Sequence, residues 1–112
     1  MSSENQEPES VVDVKDWSAC YNSGDDIIAL SCTVSTIDER ATITGAGLII
    51  NNSAGRTVGS FYAEFEGSKT VVVALNIPPG GISVGDSLMG VVSGEADGQH
   101  YFVEQNLTIA DC

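Results

Sequence analysis

The stretch Ser87–Ile109 constrains the fold more than any other part of the chain. Two apolar runs flank Asp97-Gly98. A two-residue turn of that composition supplies the positive φ that a type I′ hairpin needs at both central positions. With Asp97-Gly98 at the tip, Ala96 faces Gln99 and the rest of the register follows. Leu88 falls opposite Leu107, Gly90 opposite Gln105 and Val92 opposite Val103. Strand side chains alternate, so these pairs share one face. The other face pairs Met89 with Asn106, Val91 with Glu104 and Ser93 with Phe102. One mainly apolar face and one mixed face describe a sheet that covers a core on one side.

The preceding chain repeats this pattern. Val11, Val12, Val14 and Trp17 mark a first strand with ragged alternation, and Ser18–Asp25 reads as a turn. Ile27–Ser35 alternates cleanly, with Ile28, Leu30, Cys32 and Val34 inward. Ala41–Asn51 is apolar on both faces at Leu48, Ile49 and Ile50, which suits a central strand. Its Gly45 and Gly47 mark a bulge or a close backbone approach. Thr57–Phe65 and Thr70–Ile77 follow, the latter with Val71, Val73, Leu75 and Ile77 inward. Pro78-Pro79-Gly80-Gly81 then ends the ladder. No segment has helical periodicity. The reading is an all-β, seven-stranded antiparallel sandwich over residues 11–112, behind an acidic N-terminal arm, residues 1–10, flexible alone or held by a partner. The expected core is Ile28, Leu30, Cys32, Val34, Val71, Val73, Leu75, Leu88, Val92, Val103 and Leu107.

This pattern resembles the immunoglobulin-like and fibronectin-III-like β-sandwich superfamily. Ile28–Cys32 stands as strand B, Ala41–Asn51 as C, Arg56–Phe65 as C′ and Thr70–Ile77 as E. Ile82–Leu88 leads into F, and His100–Ile109 is G. Strand C lacks a core Trp and strand F lacks a cysteine, which places the resemblance nearer fibronectin III than antibody domains. A jelly roll or small barrel is the alternative architecture.

An odd number of cysteines leaves at least one thiol without an intrachain partner. Cys32 belongs to the inward face of B, with no cysteine on F, and is expected to be a buried free thiol. The resemblance implies that strands A and G can run parallel. That brings Cys20, after A, and Cys112, after G, to one end of the domain and favours a Cys20–Cys112 disulfide. A Cys20–Cys32 bridge, or a bond from Cys112 to a neighbouring chain, stays open.

Sixteen acidic residues against four basic ones give a net charge of −12. Phosphate neutralisation rests on Lys and Arg, so nucleic acid is excluded as a partner. Anionic membrane surfaces are disfavoured by sign, and no apolar run is long enough for a membrane span. Residues 1–10 lack the basic start and apolar run of an export signal; either the chain is used without Sec export or a signal has been removed.

Motifs for chemistry are scarce. There is no P-loop and no nucleophile elbow, and the cysteines are too far apart for a zinc knuckle. The single histidine, His100, lies beside the hairpin tip without a nucleophile motif. Asp25-Asp26 and Asp38-Glu39 lack the spacing of a calcium loop, so calcium is a minor alternative. No enzyme activity and no cofactor are expected. Tyr62 and Phe102 point away from the core and Tyr21 lies in the first turn. These three rings are the candidate interface, because aromatics are favoured at interfaces and stack on sugars.

Two functions fit. The first is a structural assembly protein: a virus-particle decoration or accessory subunit at the virion surface, with protein neighbours and a capacity for homo-oligomers. The second is a secreted or surface-anchored binding module for carbohydrate or protein ligands, extracellular or at the cell surface.

Overall fold

The structure, a computed structural model, describes residues 11–112; the expected N-terminal arm lies outside them. Among the described residues there are eight strands: β1 (Val12–Asn22), β2 (Ile27–Thr36), β3 (Ile43–Asn51), β4 (Thr57–Ser68), β5 (Thr70–Ile77), β6 (Ser87–Ala96), β7 (Gln99–Thr108) and β8 (Ala110–Asp111). They form two four-stranded sheets, ordered β5-β2-β1-β8 and β4-β3-β6-β7. The β6–β7 hairpin has the register set by its turn, with Ala96 opposite Gln99, Val92 opposite Val103 and Leu88 opposite Leu107. Asp97 and Gly98 carry φ of 55° and 77°. Strand β3 is central, between β4 and β6.

The core lies between the sheets. Ile28, Leu30, Cys32 and Val34 of β2 are buried with Val71, Val73 and Ile77 of β5. From the other sheet come Ala46, Leu48, Ile50, Leu88, Val92 and Leu107. Two expected core members are only half-buried. Leu75 packs against the cluster from the edge strand β5, and Val103 stands outside it on the edge strand β7. A side chain at a sheet edge has neighbours on one flank only, so correct phase does not guarantee full burial.

The first strand departs most from expectation. It runs on to Asn22, so Ser18–Asn22 is strand and not turn. A bulge between Lys15 and Ser18, with Asp16 at φ 59°, shifts the alternation by one residue. Val12 and Val14 face the core before it; Trp17, Ala19 and Tyr21 face the core after it. The turn is tighter than expected: the Gly24 amide donates to Asn22 Oδ1 at 2.9 Å, and Asp26 takes a positive φ. Strand β4 likewise continues through Glu66-Gly67-Ser68.

The eighth strand is the other addition. Ala110–Asp111 pairs parallel to β1, with Cys20 opposite Ala110. The Cys112 amide donates to the Tyr21 carbonyl, and a disulfide joins Cys20 to Cys112 with Cα atoms 5.0 Å apart. Cys32 is a buried free thiol, and burial pushes its pKa up to about 11.

Candidate functional site

The outward face of the β4-β3-β6-β7 sheet brings together residues that are far apart in sequence. Register places Tyr62 beside Gly47, Gly47 beside Ser93, and Ser93 beside Phe102, one row across all four strands. Tyr62 is 54% exposed and Phe102 64%. Three interstrand steps of about 4.8 Å set their backbones roughly 14 Å apart. On one side lies the row Glu64, Gly45, Glu95, His100; on the other lie Ser60, Ile49, Val91, Glu104. Asn51, Met89 and Asn106 form a further row. No position in these rows is Lys or Arg.

The Tyr62 ring lies along β3, above two glycines. A Cβ at Gly47 would stand 2.6 Å from Tyr62 Cδ1, and one at Gly45 would collide with the hydroxyl and stand 3.0 Å from Cζ and 3.7 Å from Cε2. Cδ1 and Cε2 belong to opposite edges of the ring. One ring face is therefore turned to the backbone and the other to solvent. Any side chain at Gly45 or Gly47 would lift the ring. From beneath, the buried Tyr101 hydroxyl donates to the Gly45 carbonyl at 2.6 Å, anchoring this part of β3. Burial holds the Tyr101 hydroxyl's pKa up at about 12.

Two depressions open near this face, one of them against the ring. One, of about 350 Å³, is lined by Gly47, Ile49, Ser60, Phe61, Tyr62 and Ser93. The other, of about 390 Å³, lies towards the β3–β4 loop and includes Asn51, Asn52, Met89 and Asn106. Along the strand direction the rows pass from the ring over Ile49 and the almost fully buried Val91 to the side-chain amides of Asn51 and Asn106. An exposed ring face, an apolar strip and flanking hydroxyls, amides and carboxylates can hold a ligand with one apolar face and a polar rim.

The other candidates are dispersed. Tyr21 lies within β1, in the opposite sheet, half-buried against the core, with its hydroxyl donating to Asp26 Oδ1 at 2.8 Å. That bond and the Asp26 charge hold its pKa above the usual tyrosine value. His100 is exposed, its Nε2 3.4 Å from Glu95 Oε2. Asp38 Oδ1 accepts the Arg40 amide and Asp25 accepts Asn22 Nδ2. Among the described residues no group of three or more His, Cys, Asp or Glu could hold a metal ion. The sequence marked the rings and the glycines separately; what it did not show is that Tyr62 and Gly47 are neighbours. The available signal was the two-residue spacing of Gly45 and Gly47, which puts both on one face of β3.

No protein-family model matches this chain, and no curated protein matches it. Solved structures share its fold. A domain of apo β-glucuronidase 3 from Bacteroides uniformis superposes with a TM-score of 0.63 at 10% identity, covering 88% of this chain and 12% of the enzyme. A DUF3823 family protein from Bacteroides ovatus gives 0.58 at 16% identity, covering 89% of this chain and 55% of that one. OgpA from Akkermansia muciniphila gives 0.56 at 16% identity, covering 91% and 28%. The chain thus spans about half of the DUF3823 protein and a smaller share of the other two. At these identities the likeness is one of fold: an all-β sandwich module found within longer chains. These neighbours lend no support to a virion decoration role.

Proposed function

We propose that this chain is a non-catalytic carbohydrate-binding module of immunoglobulin-like topology, whose ligand lies on the outward face of the β4-β3-β6-β7 sheet. The observation that carries the reading is the Tyr62 ring set above Gly45 and Gly47 with its outer face open. A pyranose ring has one face of C–H groups and an equator of hydroxyls. The first stacks on Tyr62, and Ser60, Ser93, Asn51 and Asn106 are placed to meet the second along the two depressions. Phe102, in the same row, supplies a second ring. Isolated rings separated by small and polar residues suit a sugar better than a protein partner, whose hot spots cluster in a dry, packed centre.

Three further observations agree with this reading. The strand order β5-β2-β1 against β4-β3-β6-β7 follows the immunoglobulin-like assignment, with β4 as C′ and β6–β7 as F and G. The Cys20–Cys112 bridge suits an oxidising compartment, and so an extracellular or cell-surface location. One of the fold's neighbours is a domain of a β-glucuronidase, a setting in which a sandwich accompanies carbohydrate chemistry.

The test is titration of a panel of neutral oligosaccharides, followed by backbone NMR shifts and calorimetry, on the unaltered protein and on Tyr62→Ala. We expect shifts confined to the Tyr62, Gly47, Ser93 and Phe102 row and its neighbours. Binding should weaken at least tenfold in Tyr62→Ala, read at a temperature where the variant's melt shows it folded, since removing a ring packed on Gly45 and Gly47 lowers stability somewhat. Shifts on the β5-β2-β1-β8 sheet, or binding indifferent to Tyr62, would refute the proposal. So would a face that answers to proteins and to none of the sugars.

A further inference from the structure

Resting on the carbohydrate reading above, the geometry points to a charge class for the ligand: we infer that this face takes an amino sugar with free amines in preference to a neutral glycan, and rejects uronic acids. The warrant is the row beside the Tyr62 ring. Gly45 lies between Glu64 on β4 and Glu95 on β6. The Tyr62 hydroxyl end reaches over Gly45, so the ring extends towards the gap between two carboxylates. At about 4.8 Å per strand their backbones stand roughly 10 Å apart, one on either side of the ring's end. Glu104, two places beyond Phe102 on β7, adds a third negative charge on the far side of the row. Among the described residues these rows hold no Lys or Arg, and His100, 3.4 Å from Glu95, is the one group in them that can carry positive charge.

Three features of this arrangement act in the same direction. An ammonium over an aromatic face is drawn to the ring quadrupole. Two carboxylates beside it complete the attraction without a competing cation on the Glu64 side. A ligand carboxylate placed there would meet like charges with nothing to neutralise it. The net charge of −12 adds a long-range field of the same sign, which speeds the approach of cations to the whole molecule and is not specific to this face. The experiment has to separate that general attraction from the local one.

Three probes do so: a tetrasaccharide of N-acetylated glucosamine, the same tetrasaccharide with its amines free and protonated, and a tetragalacturonate. Each is titrated at low salt and at about 0.5 M NaCl, where the Debye length is roughly 4 Å. The variants are Glu64→Gln with Glu95→Gln, Asp13→Asn on the opposite sheet as control, and Tyr62→Ala. We expect the free amine form to bind tightest, the acetylated form more weakly and the galacturonate not at all. The double Gln variant should lose about fivefold to tenfold for the free amine form, the size of two exposed ion pairs, and nothing for the acetylated form. The Asp13→Asn control should lose less than twofold. Equal binding of the acetylated and free amine forms, or equal losses in the double variant and the control, would overturn the charge preference while leaving the carbohydrate site intact. Binding of the free amine form that is indifferent to Tyr62→Ala would overturn both.

Discussion

Replacing both bridged cysteines, Cys20→Ser with Cys112→Ser, tests how the strands are held together. The bridge spans a sequence separation of 92, and the entropy of closing a loop that long in the unfolded chain is worth roughly 4–5 kcal/mol. Part of this is offset in the folded state. Ala110–Cys112 is tied down by a two-residue ladder and one amide bond to Tyr21. Once cut, these residues fray, and the freedom they regain offsets roughly 1–3 kcal/mol after their contacts are lost. The net loss should be about 1–4 kcal/mol. Urea unfolding of the oxidised protein and the double variant reads this directly, and the variant's m-value should rise because its unfolded chain is more expanded. Amide exchange should speed up at Cys112 while Leu30 and Val73 stay protected, since β2 and β5 pair without help from the bridge. A loss below about 1 kcal/mol with an unchanged m-value would show that the bridge does not constrain the unfolded state, and the reasoning would fail.

Two other perturbations follow from the interior. Cys32 has its pKa raised from 9.0 to about 11 and Tyr101 from 10.0 to about 12, both by burial. Between those values the folded protein keeps protons that the unfolded chain releases, so stability present below pH 9 should be lost as pH rises through 11 and 12. Cys32→Ala should remove the lower part of that decline in a pH series of urea melts; an unaltered profile would show that the thiol is not its source. Tyr101→Phe leaves the buried Gly45 carbonyl without its hydroxyl donor and should cost about 1–3 kcal/mol in the same assay, whereas a neutral effect would mean water replaces the bond.

Particular residues show where the sequence was legible. Asp97-Gly98 dictated the β6–β7 register because a turn with two positive φ values admits one pairing of its flanks. The clean alternation of β2 identified its buried face for a similar reason: no bulge interrupts it. Strand β1 was illegible beyond Trp17 because the bulge at Asp16 reverses its phase, so a period-two reading sees disorder where two regular halves meet. Strand β8 is too short to show any period, and only its disulfide and its parallel neighbour hold it. The binding face falls between these cases. Tyr62, Phe102, Gly45 and Gly47 each stood out alone. Their meeting depends on the β3–β4 pairing, which is shifted at two places, Ile43/Gly45 and Ile50/Asn51, so it cannot be counted outward from the Asn51–Gly55 loop.

The bond between Cys20 and Cys112 also fixes how the domain answers to mechanical load. Tension applied between Val11 and Cys112 passes from the start of β1 to Cys20 and across the sulfurs, so the chain between the two cysteines is shielded. At about 3.4 Å per residue, the stretch from Val11 to Cys20 spans only about 30 Å in all and is already extended as β1, so it can lengthen by only a few Å, whereas a chain without the bridge could unravel by roughly 300 Å. Strands β2 to β8, with the whole face bearing Tyr62, stay out of the load path. A ligand held there would remain bound to an intact surface while the domain is pulled.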